Sequence, residues 1–320
     1  MDSAVLTYGG IASLAVLLLA YLALLYFSPP PIVEHASEKL YRSRSTKMPT
    51  ALPSLTDTSS KDLVDLTVVI PAYNERERLP DMLKTTVAHL ASRKARTSEV
   101  LIVDDGSSDG TADLALELAK TYPKTEIRVV PLEHNLGKGG AVRHGMLHGR
   151  GRRLLMVDAD GASRFEDLEL LWTALDAYPK SAPAVAIGSR AHLVKTEAVV
   201  KRSVLRNFLM YGLHTILRLV GVGHIRDTQC GFKLFTRAAA REIFPRQHLA
   251  TWIFDVEILL LAKQQGIPVV EVPIEWHEVP GSKLNVVVDS LQMLRDLLVL
   301  RANQVLGRWR TQGRGRAKAE

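Results

Sequence analysis

From residue 66 onward, continuous apolar runs alternate with amphipathic stretches along the chain. The stretches 77–91 and 111–121 carry apolar residues at helical spacing. Five apolar runs predict strands that are buried on both faces, because such strands lack a polar alternation: LTVVIPAY, EVLIVDDGS, EIRVVPL, RLLMVDADG and AVAIGS. The pattern predicts an α/β domain over residues 66–284, with a Rossmann-like, mostly parallel sheet flanked by helices.

The first 33 residues form a separate apolar segment. No charged side chain lies between Asp2 and Glu34, and residues 11–27 are nearly all apolar. At about 1.5 Å per residue, a helix of this length spans a bilayer core, so residues 1–33 are predicted to be a transmembrane anchor. A cleaved signal peptide is the alternative, but no lysine or arginine precedes the apolar run, and the run is long for a signal core.

The charges around this segment predict its orientation. Only Asp2 and the amino group precede it, whereas four cations follow it: Lys39, Arg42, Arg44 and Lys47. Cytoplasmic flanks of membrane helices carry the excess of lysine and arginine. The part of the chain after the anchor is therefore expected to face the cytosol.

Two other segments flank the predicted domain. Residues 34–65 are polar, rich in Ser, Thr and Pro and without periodicity, which predicts a linker. Residues 285–320 are predicted to be an amphipathic helix with a basic tail, because apolar residues recur at helical spacing: Val287, Leu291, Leu294, Leu298 and Val305. Two arrangements of this helix fit the sequence: it packs on the domain, or it lies at the membrane interface. Residues 196–222 are also expected to be helical.

Composition and charge narrow the class of partner. Of the 320 residues, 47% are hydrophobic, which is ordinary for a globular protein and excludes disorder for most of the chain. The formal net charge of +7 predicts an anionic partner, for which a nucleic acid, a membrane surface and a phosphorylated substrate all qualify. Cys230 is the single cysteine, so no intramolecular disulfide can form.

Acidic residues follow three of the predicted strands. The strand RLLMV ends in Asp158 and Asp160, and the ends of two other strands carry Glu75 and Asp104. Because ligands bind beyond the carboxyl ends of the strands in parallel sheets, these side chains are candidates for a site. Two carboxylates one residue apart suit Mg²⁺ or Mn²⁺, which also binds substrate phosphates. A solvated turn is the alternative for an isolated D-x-D, but the buried strand before it and the neighbouring acids favour a metal site.

The stretch NLGKGGA does not fit a P-loop. Leu132 stands where that motif requires its first glycine, and Gly139 stands where it requires Ser or Thr. A glycine-rich turn with Lys138 at a helix N-terminus still favours negative charge. A tight turn without a ligand is the alternative.

Several of these stretches resemble a known family. VVIPAYNE, LIVDDGSSDGT, NLGKGGA and MVDADG are similar to the signatures of the inverting GT-A glycosyltransferases of family 2. The anchor and the later motifs GSRAHL, RDTQCGFKLF, WIFDVEILL and GSK resemble its polyprenyl-phosphate glycosyltransferases, and the glucosyl branch in particular. The resemblance extends from about residue 66 to about residue 300 and implies a GT-A fold for residues 66–284.

The resemblance also implies roles for individual residues. Asp158 and Asp160 would bind the metal ion, Mg²⁺ or Mn²⁺, and Asp104 would recognise the base. The nucleotide-sugar-binding set is Pro71, Tyr73, Glu75, Asp104, Lys138, Asp158 and Lys283. The acceptor-phosphate-binding set is Arg190, Arg202 and Arg206, and the catalytic candidates are Asp160 and Asp255. Mannosyl relatives carry a metal-binding glutamine where this chain has Ala162, and this difference favours the glucosyl branch.

The reaction that the resemblance implies is transfer of glucose from UDP-glucose to dolichyl phosphate with inversion, giving the lipid-linked glucose donor for N-glycan precursor assembly. The expected location is the endoplasmic reticulum membrane, with a single pass, a cytosolic catalytic domain and no nucleic-acid partner. Mannosyl transfer from GDP-mannose is the alternative within the class. A membrane-tethered nucleotide-sugar binder without catalysis is the alternative outside it. A sugar-1-phosphate nucleotidyltransferase is disfavoured, because PAYNERERLP is not its glycine-rich activation loop.

Overall fold

The structure is a computed structural model that describes residues 2–46, 48–56, 63–193, 223, 225–281 and 286–309. Within these residues, nine strands form one sheet in the order β2-β1-β5-β4-β3-β6-β8-β7-β9. The strands are β1 (Leu40–Ser43), β2 (Thr50–Ala51), β3 (Val64–Ala72), β4 (Ser98–Asp104), β5 (Glu126–Pro131), β6 (Gly151–Val157), β7 (Val185–Ser189), β8 (Phe232–Thr236) and β9 (Val269–Pro273).

Eight α-helices accompany the sheet in the described residues. They are α1 (Asp2–Phe27), α2 (Leu79–Ser92), α3 (Thr111–Thr121), α4 (Lys138–His148), α5 (Leu168–Asp176), α6 (Arg237–Ile243), α7 (Phe254–Gln264) and α8 (Val286–Val305). The strands and helices predicted over residues 66–284 are present at these places. The predicted helix at 196–222 lies wholly outside the described residues.

The sheet is covered on both faces, as the continuous apolar runs predict. Strands β5, β4, β3 and β6 run parallel, with Val68 of β3 aligned to Val100 on one side and Leu155 on the other. Val68 and the residues two positions before and after it in β3 pack with α2, α3 and α5, whereas Val69 packs with α4 on the other face. Successive side chains of a strand point to opposite faces, so both faces of these strands need apolar residues.

Strand β8 is a feature that the apolar pattern did not predict. It lies between β6 and β7 and is antiparallel to both. Its sequence FKLFT contains Lys233, and a charged residue in so short a run argues against a buried strand. Lys233 is nevertheless fully buried, because a carboxylate and a backbone carbonyl surround its ammonium group.

The linker predicted over residues 34–65 is also corrected by the structure. Strand β1 pairs antiparallel with β5 and extends the sheet, and β2 pairs with β1. Tyr41 and Leu55 are buried, and β3 already begins at Val64. Sheet edges tolerate polar residues, so such a strand lacks the apolar signature of the central ones.

The two terminal helices lie side by side. α1 contains an 18-residue window, Gly10–Phe27, of mean hydropathy 2.3 that is almost wholly exposed, as a membrane-spanning helix requires. In α8, Met293, Leu297 and Leu300 pack into the domain core, so one face of this helix takes the packed arrangement that the sequence left open. Its other face remains exposed and apolar, with Leu291, Leu294 and Leu298 along one stripe.

Candidate functional site

The predicted strand ends meet at one cavity. β3 lies between β4 and β6, so the acidic residues that follow these three strands are neighbours at one edge of the sheet. A cavity of about 570 Å³ opens there. Its walls include six of the residues singled out from the sequence: Pro71, Tyr73, Glu75, Lys138, Asp158 and Asp160. The tertiary structure therefore brings together the D-x-D, the PAYNE turn and the lysine of the glycine-rich turn.

The two aspartates of the D-x-D have different surroundings. Asp158 Oδ1 lies 2.6 Å from Lys138 Nζ, and Asp160 Oδ1 accepts a hydrogen bond of 3.0 Å from the Ala162 amide. Burial, followed by the charge of Asp158, raises the pKa of Asp160. A carboxylate held beside a second carboxylate is stabilised by a cation, since each disfavours ionisation of the other.

The donor set fits a hard divalent ion. Asp158 and Asp160 supply carboxylate oxygens, which Mg²⁺ and Mn²⁺ prefer, and both side chains line the open cavity rather than the core. Lys138 provides a second positive group beside them. A metal ion held by the two carboxylates, together with the lysine, suits a substrate that carries more negative charge than one cation neutralises.

The glycine-rich turn holds Lys138 by close packing. Lys138 is the first residue of α4, and Gly137 before it has φ 92°. A Cβ at Gly137 would lie 2.7 Å from Ala250 O, and one at Gly139 would lie 2.6 Å from Phe254 Cβ. Burial by itself lowers the pKa of Lys138, but the charges of Asp158 and then Asp255 outweigh it and raise that pKa. The lysine is therefore positively charged at the cavity.

The end of β3 and the turn after it present Pro71, Tyr73 and Glu75 to the cavity. Tyr73 is 41% exposed at the cavity wall. Glu75 is held by Arg78, whose Nε and Nη2 donate hydrogen bonds of 2.7 and 2.6 Å to its two carboxylate oxygens. Arg78 also lines the cavity and was not predicted from the sequence; its spacing three residues after Glu75 is the signal that could have found it.

The paired residues Asp104 and Asp105 differ in their partners. Asp105 accepts hydrogen bonds from the amides of Leu136 and Gly137, at 2.8 and 3.0 Å, and so fixes the glycine-rich turn. Asp104 accepts one bond from the Ser107 amide through Oδ2, while its buried Oδ1 has no hydrogen-bond partner among the described residues. Burial raises the pKa of Asp104. Asp105 lines the cavity, whereas Asp104 is buried behind it and is not part of its wall.

Asp255 is separated from the cavity surface. It is 2% exposed, and its Oδ1 lies 2.5 Å from Lys233 Nζ, which also donates to Cys230 O. Burial raises the pKa of Asp255, with Lys233 acting in the opposite direction. Glu257, two residues later, accepts hydrogen bonds from the amides of His248 and Leu249, which is a structural use of that carboxylate.

The segment that Lys233 holds lies directly behind the D-x-D. Gly231 O accepts a hydrogen bond of 3.2 Å from the Asp158 amide. A Cβ at Gly231 would lie 2.0 Å from Asp158 Oδ2 and 2.3 Å from its Cγ. Gly231 therefore leaves the space in which the Asp158 carboxylate lies, a role that the sequence reasoning did not assign.

Replacing Gly231 by alanine is expected to displace the Asp158 carboxylate and to lower turnover by about tenfold or more, since each 1.4 kcal/mol of lost stabilisation is a factor of ten. The measurement is turnover at several Mn²⁺ concentrations, where the variant should need more metal. Cys230→Ala is the matched control, because it changes the preceding side chain and adds no atom near Asp158. Equal activity of the two variants would contradict the packing argument.

Arg190 is held by a carboxylate. Its Nε and Nη2 donate to the two oxygens of Asp227 at 2.8 and 2.9 Å, and its guanidinium lies 5.3 Å from the ring centre of Trp276. Burial by itself lowers the pKa of Arg190, but the hydrogen bond and charge of Asp227 raise it. Trp276 lines the cavity together with Trp252, and neither ring was predicted as a site residue. Arg202, Arg206 and Lys283 lie outside the described residues.

The fold and this site define a class of protein. Residues 67–244 match the family model described as Glycosyl transferase family 2. Two solved structures of glucosyl-3-phosphoglycerate synthase from Mycobacterium tuberculosis, one with Mn²⁺ and UDP-glucose and one with Mg²⁺ and UDP, are similar in fold. Their TM-scores are 0.51 and 0.52 at 15% and 16% identity, and each match covers 74% of this chain and 79% of the other. The chain is thus a glycosyltransferase with the predicted GT-A fold.

Similarity to individual proteins identifies its place in that class. The chain is 45% identical to a dolichyl-phosphate β-glucosyltransferase of Saccharomyces cerevisiae, with 92% of each chain covered, and 42% identical to one of Homo sapiens, with 94% of each covered. A third, from Drosophila melanogaster, is 43% identical over 94% of each chain. This protein belongs to the dolichyl-phosphate β-glucosyltransferase family, which confirms the glucosyl branch indicated by the motifs.

Proposed function

We propose that this protein transfers glucose from UDP-glucose to dolichyl phosphate with inversion, giving dolichyl β-D-glucosyl phosphate and UDP. The observation that carries the proposal is the cavity in which Asp158, Asp160 and Lys138 lie together at the ends of the parallel strands. The names of the relatives that match nearly the whole chain supply the glucosyl group and the lipid acceptor.

On the donor side, the proposal assigns the nucleotide to the turn after β3. Pro71 and Tyr73 form a wall for the base. Asp104, at the end of the neighbouring strand β4, is assigned to accept the base's N–H. Asp158 and Asp160 would hold Mg²⁺ or Mn²⁺. The ion, when bound, neutralises charge on the diphosphate that leaves. Lys138, and Lys283 from outside the described residues, add positive charge to the same leaving group.

On the acceptor side, a phosphate oxygen of dolichyl phosphate attacks the anomeric carbon while the bond from that carbon to UDP breaks. UDP leaves with the bonding electrons, and the single displacement converts an α-linked donor into a β-linked product. The second pKa of a phosphate monoester is near 6, so the nucleophile is largely ionised at neutral pH and needs little base catalysis. This step agrees with the position of Asp255 away from the cavity wall.

The acceptor phosphate is assigned to Arg190, Arg202 and Arg206. Arg190 lies beside Trp276 of the cavity wall, which supports a place near the acceptor, and its pairing with Asp227 fixes the guanidinium. Arg202 and Arg206 are four residues apart, so they would lie on one face of a helix. Arginine suits this task because its planar fork grips two phosphate oxygens.

One assay distinguishes the proposed reaction from its alternatives. The purified protein in detergent receives dolichyl phosphate and either radiolabelled UDP-glucose or GDP-mannose. We expect lipid-extractable label from UDP-glucose only. Label from GDP-mannose would favour the mannosyl alternative, and binding of either donor without transfer would favour the non-catalytic alternative.

We infer further that the protein lies in the endoplasmic reticulum membrane with its domain in the cytosol. The exposed apolar helix α1 supports an anchor, and the cations that follow it support the orientation. A glycosylation acceptor site added near the C-terminus is expected to stay unmodified in microsomes. The same site added before α1 serves as the positive control, and modification of the C-terminal site would reverse the assigned orientation.

The exposed stripe of α8 supports a second contact with the bilayer. Leu291, Leu294 and Leu298 lie beside Phe27, where α1 ends, so the apolar surface of the anchor continues onto α8. Replacing Leu291 and Leu298 together by glutamate is expected to raise the KM for dolichyl phosphate severalfold in proteoliposomes and little in detergent. Leu170→Glu on α5, another exposed leucine, is the control, and equal effects of both variants would contradict the contact.

A further inference from the structure

A second cluster of metal-ligand side chains lies behind the catalytic domain's glycine-rich helix. His144 and His148 lie four residues apart on α4, so both rings lie on one face of the helix. Glu34, from the segment after the anchor, lies against that face. One ligand atom from each of the three residues lies within 4.8 Å of the others. None of the three lines the cavity that holds the D-x-D.

The outer hydrogen bonds fix the tautomer of both rings. His144 Nε2 lies 2.9 Å from Glu38 O, and His148 Nδ1 lies 2.8 Å from Pro53 O. A carbonyl oxygen only accepts, so each of these nitrogens carries a hydrogen that it donates. In the neutral rings, His144 Nδ1 and His148 Nε2 are then lone-pair acceptors. Metal-binding histidines show this arrangement, in which the second ring nitrogen donates to a carbonyl or carboxylate.

The two inner nitrogens are buried and have no hydrogen-bond partner in the part of the chain that the structure describes. His144 is 2% exposed and His148 is 8% exposed. Both nitrogens face the Glu34 carboxylate, at 3.9 Å for His144 Nδ1 and 3.7 Å for His148 Nε2, which is too long for a hydrogen bond. Three acceptors that converge without a donor are unfavourable unless a cation lies between them.

The other charges near the cluster leave room for a cation. Arg143 Nη1 lies 3.6 Å from Glu34 Oε1, while its Nε donates to Phe244 O, so the guanidinium contacts one edge of the cluster only. The buried carboxylate of Glu38 accepts backbone amide hydrogens and does not point to the rings.

We propose that Glu34, His144 and His148 form a zinc site in which water completes the coordination. Two imidazoles and one carboxylate are ligands of open tetrahedral zinc sites, whereas Mg²⁺ prefers oxygen ligands alone. With bonds of about 2.1 Å, the ligand atoms of a tetrahedral site lie roughly 3.4 Å apart. The distances of 3.9 Å from His144 Nδ1 to Glu34 Oε1 and 3.7 Å from His148 Nε2 to Glu34 Oε2 exceed this value by about 0.5 and 0.3 Å, which side-chain rotation closes.

The site joins two parts of the molecule that the sequence separates widely. Glu34 follows the membrane helix, and α4 begins at Lys138 in the catalytic cavity. A metal bond from Glu34 to α4 would fasten the segment after α1 to the helix that begins at Lys138. This ion is separate from the ion assigned to Asp158 and Asp160.

The test uses the full chain, purified without chelators or a histidine tag and dialysed against metal-free buffer. His144→Gln and His148→Asn keep the outward N–H donors in similar positions and remove the inner nitrogens, so both are suited to preserve the fold. His35→Gln is the matched control, since His35 is the exposed neighbour of Glu34. Asp158→Asn removes a ligand of the other metal site. Bound zinc is counted by mass spectrometry, and cobalt is added to the apoprotein as a spectroscopic probe.

We expect about one zinc per chain in the wild type, in His35→Gln and in Asp158→Asn, and at least 100-fold weaker zinc binding in His144→Gln and His148→Asn. This loss exceeds the 10–100-fold that second-shell changes cost. Cobalt should give the intense visible bands of a four-coordinate ion in the same three proteins. Zinc binding that survives both histidine changes, or is lost in Asp158→Asn instead, overturns the proposal. A wild type that binds no zinc overturns it as well.

Discussion

Asp158→Asn and Asp160→Asn are each expected to lower turnover at least about 100-fold. An amide keeps the shape of the side chain but removes the negative charge that would hold a divalent ion at the departing diphosphate. Loss of one preorganised electrostatic contact costs enzymes about 10²–10³ in rate, and the aspartates act on a more highly charged group. The measurement is turnover with UDP-glucose and dolichyl phosphate at saturating Mg²⁺ or Mn²⁺.

The controls separate lost chemistry from lost folding. Asp176→Asn, at a carboxylate that is mostly exposed and pairs with Arg153, should keep normal turnover. Thermal unfolding of the two D-x-D variants should resemble that of the wild type, since neither carboxylate supports the core. EDTA should abolish wild-type activity, and either metal should restore it. Near-normal turnover in both variants would remove these residues from the metal site.

Asp255→Asn is expected to destabilise the protein by about 3–5 kcal/mol, because it leaves the ammonium of Lys233 buried without a counter-charge. For a domain of this size, each kcal/mol lowers the unfolding midpoint by roughly 2–4 °C. The thermal unfolding midpoint should therefore fall by about 6–20 °C. Turnover should fall as well. Lys233 holds the Cys230 carbonyl, and the next residue, Gly231, leaves the space in which the Asp158 carboxylate lies.

A second variant tests this explanation. Replacing Lys233 by methionine together with Asp255 by leucine removes both charges and keeps the volume, so much of the lost stability should return. If Asp255 instead acted as a base, Asp255→Asn would lose turnover with an unchanged unfolding midpoint. The double variant would then stay inactive while folding normally. The pair of midpoints and turnover values distinguishes a positioning residue from a catalytic one.

The grouping of several candidate site residues at one cavity was predictable because its signals are local. Asp158 and Asp160 follow an apolar run, and the parallel order of such strands places their carboxyl ends at one edge. Lys138 was predicted from a glycine-rich turn at a helix start. Trp276 and Trp252 were not, since an aromatic ring has the same sequence signal in a core and in a cavity wall.

The apolar and amphipathic patterns by themselves determined the parallel centre of the sheet, its helices and the long apolar helix at the N-terminus, because burial selects residue type position by position. Only the tertiary structure decided which distant groups meet. Strand β8 buries Lys233 because Asp255, 22 residues later, lies beside it. Glu34 meets His148 across more than a hundred residues because β1 brings the segment after the anchor to the sheet. Contacts between residues so far apart in the sequence depend on the tertiary fold, which the local spacing of apolar residues does not specify.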